Sequence, residues 1–222
     1  MTGHSLNPLQ RWKLQTGDDS RKQRGSGVSF RIMINGMQVC SYIWMAFYTI
    51  WLLGALRTKR AAEHVGWGKL LSYTIPVALG YYCMFSPYVG LDWLQTRILP
   101  RNQGLAAAAI VITLAGMAFA VWARVYLGRN WSSLPTIKEQ HQLIRSGPYR
   151  LVRHPIYTGF LLAMTGTFLA NGRVRGALSI VLLWTGWQVK SRMEERFMVR
   201  TFGAEYEDYR RTTGGLFPRL PG

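Results

Sequence analysis

LAAAAIVITLAGMAFAVWARVYL, residues 105–127, decides how the rest of the chain is read. The run holds no acid and one arginine, Arg124, near its end. A helix needs about 20 apolar residues to cross the hydrocarbon core of a bilayer, and this run supplies them. Ala107, Ala108, Ala115, Gly116 and Ala118 are small enough to let a second helix approach closely.

Outward from that run the apolar residues keep coming in blocks. Upstream lie residues 32–56, with the core VCSYIWMAFYTIWLLGAL closed by Arg57-Thr58-Lys59-Arg60, and residues 70–89, which contain Pro76 and Pro87. Proline is tolerated in a span because neighbouring helices re-satisfy the freed carbonyls. Downstream lie two shorter blocks, 156–170 and 177–189, joined by the tight-turn signal Asn171-Gly172-Arg173. Nothing breaks a helix between the last block and Gly203, so that helix is expected to carry Glu194 and Glu195 past the membrane surface. The fold expected is all-α: a polytopic integral membrane protein with about five transmembrane helices. Residues 1–30 read as a basic tail, 31–127 as helices one to three, and 128–222 as a catalytic region. That region holds a helical hairpin over about 156–189 and a C-terminal helix.

Composition agrees with a membrane. The 222 residues are 49% hydrophobic and 17% charged, where soluble domains carry roughly 25% charge. The net charge of +17 fits nucleic acid or an anionic membrane surface. The apolar blocks favour the membrane, and no base-reading motif is present. Cys40 and Cys83 are too few for a disulfide framework or a zinc site and read as buried small hydrophobes. For five spans, 17 basic residues fall on the side of the C-terminus and 10 on the other. The positive-inside rule then places the C-terminal region in the cytoplasm.

Chemistry concentrates after residue 127. SGPYRLVRHPIYTGFLL, residues 146–162, puts polar and turn-forming residues at the lip of an apolar run. In one reading Arg150 and Arg153 snorkel to headgroups, Pro155 starts a helix and Tyr157 joins an interfacial belt. In the other, His154-Pro155 opens a helix whose free N–H groups and dipole attract a carboxylate. His154 then adds a donor and Tyr157 a ring. In MEERF, residues 193–197, adjacent helical positions point about 100° apart, so one glutamate is expected to turn inward and the other outward. An inward carboxylate suits an ammonium group. Phe202, Tyr206 and Tyr209 fall at helical spacing and are expected to pack. No GxxxxGKS, GxGxxG, HExxH or GxSxG motif occurs.

HQLIRSGPYRLVRHPIYTGFLL, then MEE, then FGAEYEDY, with LGRNWS upstream, closely resembles isoprenylcysteine carboxyl methyltransferases and their relatives among phospholipid N-methyltransferases. The resemblance covers roughly residues 122–219 and implies a helical membrane enzyme using S-adenosylmethionine in a cytoplasmic pocket. It implies that His141, Gln142, Leu143 and Ile144, with Tyr149, line the adenosine side. His154, Pro155, Ile156 and Tyr157 would hold the amino-acid end, and Glu195 the α-ammonium. Where the eukaryotic enzymes carry a substrate-binding arginine four residues before that glutamate, this chain has Ser191, flanked by Lys190 and Arg192. Either Lys190 or Arg192 could replace that charge, and Arg153 and Arg192 are the candidate catalytic side chains. The departure bears on the acceptor more than on methyl transfer. The implied activity is carboxyl O-methylation of an isoprenylcysteine-like or other lipophilic acceptor. Phospholipid N-methylation and a non-enzymatic membrane protein are the alternatives.

Overall fold

The computed structural model describes residues 35–55, 66–128 and 143–219. In chain order come α1 (Gly36–Ala55), α2 (Trp67–Phe85), a one-turn helix (Asp92–Gln95) and α3 (Gln103–Leu127). A 3-10 turn (Gly147–Arg150), α4 (Pro155–Asn171), α5 (Val174–Phe202) and α6 (Ala204–Thr212) follow. Extended pairing among the described residues is limited to two isolated bridges, Arg97 with Arg173 and Val152 with Gly214. The expected N-terminal tail, the basic closure at 57–60, most of LGRNWS, His141 and Gln142 lie outside the described residues.

The sequence signals set the helix ends. Asn102 caps α3, its side chain accepting from the Leu105 amide at 2.8 Å. Pro155 takes the first position of α4, where a missing N–H costs nothing. Gly172 follows α4 in the left-handed conformation, φ 63°, which lets the chain reverse into α5. The hairpin turn is clamped to the loop before α3: Ile98 N donates to the Gly172 carbonyl at 2.8 Å, and Arg97 Nη1 to the Asn171 carbonyl at 2.9 Å. Pro87 was expected inside a span; α2 ends at Phe85 and leaves it in the following turn, while Pro76 stays within the helix. A helix rarely continues through the residue before a proline.

Small residues bring the helices together. α3 and α4 pack most extensively, and α2 packs against α5. A Cβ on Gly116 would lie 2.3 Å from the Ala163 amide nitrogen, and one on Gly159 would lie 2.6 Å from the Gly116 carbonyl oxygen. The α3 and α4 backbones therefore touch, as in close-packed membrane helices. Gly80 and Gly186 do the same between α2 and α5, against Leu183 and Val77. Polar groups also join the helices: Trp44 Nε1 donates to Thr167 Oγ1 at 2.9 Å, and Thr167 Oγ1 donates to the Ala163 carbonyl at 2.9 Å.

By length and composition, one described helix, α3, is long and apolar enough to cross a membrane, with only 28% of its most apolar window buried. Val111, Leu114, Val121, Trp122 and Val125 face outward from it. α5 has 29 residues, or about 44 Å at 1.5 Å per residue. That exceeds the ~30 Å of a hydrocarbon core. Its last turns, with Glu194 and Glu195, therefore extend past the apolar part of the bundle, where the start of α4 and the C-terminal segment meet them.

Candidate functional site

Three segments converge at that end of the bundle. Residues 152–154 run into α4 and are pinned by the C-terminal segment. Arg153 N donates to the Gly214 carbonyl at 2.8 Å, and His154 N to that of Gly215 at 3.2 Å. Thr158 Oγ1 donates to the Leu216 carbonyl at 2.6 Å. α6 closes the far side: Tyr206 and Tyr209 are buried, and the Tyr209 hydroxyl donates to the Tyr149 carbonyl. The packing expected of these tyrosines is thus present, with Gly203 (φ 54°) breaking the helix between Phe202 and Tyr206.

His154 lies at the centre. Its Nε2 is 3.1 Å from Glu195 Oε1, and its Nδ1 is 3.5 Å from Glu194 Oε2. Arg153 donates twice to Glu195 Oε1, from Nε at 2.9 Å and Nη2 at 2.8 Å. Its Nη1 reaches the carbonyls of Arg210 and Thr213. Tyr157 donates its hydroxyl to Glu194 Oε1 at 2.6 Å. The rings of His154, Tyr157, Trp187 and Phe160 stack in sequence, with centroids 5.8, 6.2 and 5.5 Å apart. Lys190 Nζ lies 5.5 Å from the Tyr157 ring centre, within cation–π range.

One glutamate was expected to face out; both face in. The 100° between adjacent helical residues is the angle at which two carboxylates straddle one imidazole, one at each ring nitrogen. The snorkelling expectation fits Arg150, which is exposed. It fails for Arg153, whose side chain is 12% exposed and spent on Glu195 and backbone carbonyls.

These contacts fix the charge states. Burial opposes charge on His154, but hydrogen bonds to Glu194 and Glu195 and their fields outweigh it and raise the imidazole above its ordinary 6.5. Burial pushes the Glu195 carboxyl up, but His154 and Arg153 pull it down to about 2. Glu194 moves down for the same reasons, with His154 and Lys190 overcoming burial. The two carboxylates favour the imidazolium form of the ring between them.

A cavity of about 360 Å³ opens beside this centre, lined by Arg153, His154, Glu195, Arg210, Ser191 and Arg192 on its polar side. Trp184, Leu216 and Phe217 form its apolar side. Glu195 Oε1 carries three donors, whereas among the described residues Oε2 meets only Arg210 Nε, at 3.4 Å. Ser191, the departure noted above, is 4% exposed, and its Oγ has no hydrogen-bond partner among the described residues.

Of the expected site residues, the structure brings together Arg153, His154, Tyr157 and Glu195, with Arg192 at the cavity wall. Pro155 is buried at the helix start and Ile156 packs on the core. Tyr149 is buried, its hydroxyl donating to the Ala123 carbonyl at 3.4 Å; Leu143 and Ile144 are half-buried beside it in sequence. None of these five lines the cavity. Arg210, Trp187 and residues 213–217 were not anticipated as site residues. Gly214-Gly215 was the available signal: a Cβ on Gly214 would lie 2.0 Å from the Phe217 carbonyl oxygen, so only glycine folds there.

Comparison with known proteins matches this region. The family model described as phospholipid methyltransferase covers residues 105–205. A probable protein-S-isoprenylcysteine O-methyltransferase of Oryza sativa subsp. indica is 38% identical over 104 residues, 45% of this chain and 54% of that protein. The C-terminal half is similar to isoprenylcysteine O-methyltransferases and matches the phospholipid methyltransferase family model. The Rattus norvegicus protein-S-isoprenylcysteine O-methyltransferase is 27% identical over 193 residues, 84% of this chain and 66% of that protein. A solved structure of a eukaryotic intramembrane Ras methyltransferase, isoprenylcysteine carboxyl methyltransferase, is 22% identical with a TM-score of 0.45. That match covers 66% of this chain and 52% of the other. The chain spans about half the length of the rice isoprenylcysteine methyltransferase.

Proposed function

We propose that the chain is a multi-pass membrane methyltransferase of about five spans, with its C-terminal region in the cytoplasm. It transfers a methyl group from S-adenosylmethionine to the carboxylate of a lipophilic acceptor. The similarity to isoprenylcysteine O-methyltransferases, the outward apolar face of α3 and the site at the end of the bundle support this reading.

The residues present fit the methyl donor. Glu195 Oε2, held among the described residues only by one long contact to Arg210, offers an acceptor for an ammonium group. The Ile156 and Tyr157 amides lie in the first turn of α4, where no intrahelical carbonyl faces them, and offer donors to a carboxylate. Bound there, S-adenosylmethionine supplies a methyl group already activated by its sulfonium. His141, Gln142, Leu143, Ile144 and Tyr149 remain assigned to its adenosine side by the family resemblance alone. Arg153 acts as a positioning residue that holds Glu195 in place.

The observation that carries the acceptor class is the charge of the cavity wall: Arg153, Arg192 and Arg210 against Glu195. Such a wall attracts an anionic head, while Trp184, Leu216 and Phe217 receive an apolar chain. A carboxylate is ionised at neutral pH and needs no general base. Alignment of the reactants then supplies up to about 7–11 kcal/mol. The phospholipid N-methylation alternative needs a base to deprotonate an ammonium. His154, whose charged form both carboxylates favour, is a poor acceptor for that proton. The test is to incubate purified protein with methyl-labelled S-adenosylmethionine and a farnesylated cysteine analogue. Label released as methanol by base marks an ester; base-stable label on a phospholipid amine overturns the assignment.

A further inference from the structure

A second cavity lies beyond the first, on the outer face of α5. Arg192, Arg196, Val199 and Arg200 line it from α5, with Glu195, Glu207 and Arg210, and it measures about 480 Å³. Arg192, Arg196 and Arg200 are spaced four apart and lie within an 80° sector of the helix. All three are exposed. Among the described residues none is in an ion pair, since both lining carboxylates are engaged: Glu207 by Arg210, and Glu195 by Arg153, His154 and Arg210. Like charges at this spacing weaken a helix, and an exposed helix ordinarily interleaves acids to offset them. Here the two acids of the same stretch, Glu194 and Glu195, are turned inward to His154.

We infer that this groove binds the phosphate of an anionic phospholipid. The inference rests on the membrane-embedded part of the proposed function and is independent of the methyl-transfer chemistry. Trp184, an exposed aromatic of the kind found at membrane interfaces, lies on α5 about 12 Å before Arg192. Arg192 lines both cavities, so the arginine groove begins where the apolar wall ends. Guanidinium groups there meet the phosphate layer and pair with it by forked hydrogen bonds. A headgroup phosphate would seat this end of α5, and with it Glu195, at a fixed depth beside the acceptor.

The test uses the full chain purified in mixed micelles of phosphatidylcholine and phosphatidylglycerol, with retained lipid counted by native mass spectrometry. Wild type retains phosphatidylglycerol in preference. Arg196→Gln with Arg200→Gln loses that preference by about fivefold per arginine. The doubly lysine-substituted protein, Arg196→Lys with Arg200→Lys, keeps it. Equal retention of the two lipids by wild type, or unchanged preference in the glutamine variant, overturns the inference. Displacement of the retained lipid by inorganic phosphate also overturns the lipid assignment, because it makes the groove a site for soluble phosphate. An unaltered melting temperature and S-adenosylmethionine affinity in the glutamine variant show that the fold and donor site are intact. They also separate failure here from failure of the methyltransferase reading.

Discussion

Glu195→Gln removes one negative charge and keeps the shape of the side chain. In the native protein that charge accepts two bonds from Arg153 and one from His154, and lies 3.4 Å from Arg210. The carboxyl is depressed from its ordinary 4.5 to about 2, which corresponds to stabilisation of about 3 kcal/mol at neutral pH. Breaking a buried ion pair from one side costs about 3–5 kcal/mol. Arg153 keeps its backbone carbonyls and His154 keeps Glu194, so the low end applies. A loss of about 3 kcal/mol lowers the melting temperature by roughly 6–12 °C for a chain of this size. The sign with pH follows. A depressed carboxylate stabilises fully above its unfolded value of 4.5 and loses that stabilisation as pH falls toward 2. Wild type therefore shows an acid limb across that window, and the variant a flatter one. Donor affinity falls about 30- to 150-fold, for the ~2–3 kcal/mol lost when one side of a desolvated charge pair is removed. Thermal unfolding in detergent across pH 2–7 and calorimetry with S-adenosylmethionine read the two effects. A lower melting temperature with unchanged donor affinity would refute the cofactor role and leave Glu195 a structural residue.

Other changes probe other parts of the argument. Tyr157→Phe keeps the ring stack and deletes the bond to Glu194; it should cost about 1–3 kcal/mol, read by thermal unfolding. The raised imidazole stabilises fully below its unfolded 6.5 and loses that contribution as pH rises through its higher folded value. His154→Gln should therefore flatten the alkaline side of the stability profile, and an unchanged profile would contradict the charge state assigned to His154. Gly116→Leu drives a side chain into the α4 backbone and should abolish monodisperse protein on size exclusion; a well-folded variant would mean that α3 and α4 are not in backbone contact. Thr167→Val strands the Trp44 indole N–H and should cost about 1–3 kcal/mol of unfolding free energy.

The sequence made the long helices legible because apolar length and helix-breaking residues are local signals. Asn102, Gly172 and Gly203 stand at ends the chain itself announces. Arg153-His154-Pro155 and Glu194-Glu195 were legible as a pair of motifs, one at a helix start and one on a helix face. Their geometry was not. That both glutamates grip one imidazole depends on the crossing of α4 and α5, set by close contacts such as Gly176 against Phe168 far from the motif. Arg210 and residues 213–217 were not anticipated, because local spacing does not say which surface a terminal segment covers. Ser191 was visible as a departure, but not as a buried hydroxyl without a partner among the described residues.

The central claim is that the cavity beside His154 and Glu195 receives a methyl donor. Calorimetric titration of the purified full chain with S-adenosylmethionine, competed by S-adenosylhomocysteine, tests it most directly. The account predicts saturable binding at one site per chain, displaced by the competitor. Absence of binding to protein with a cooperative melt would contradict it and return the His154 cluster to a purely structural role.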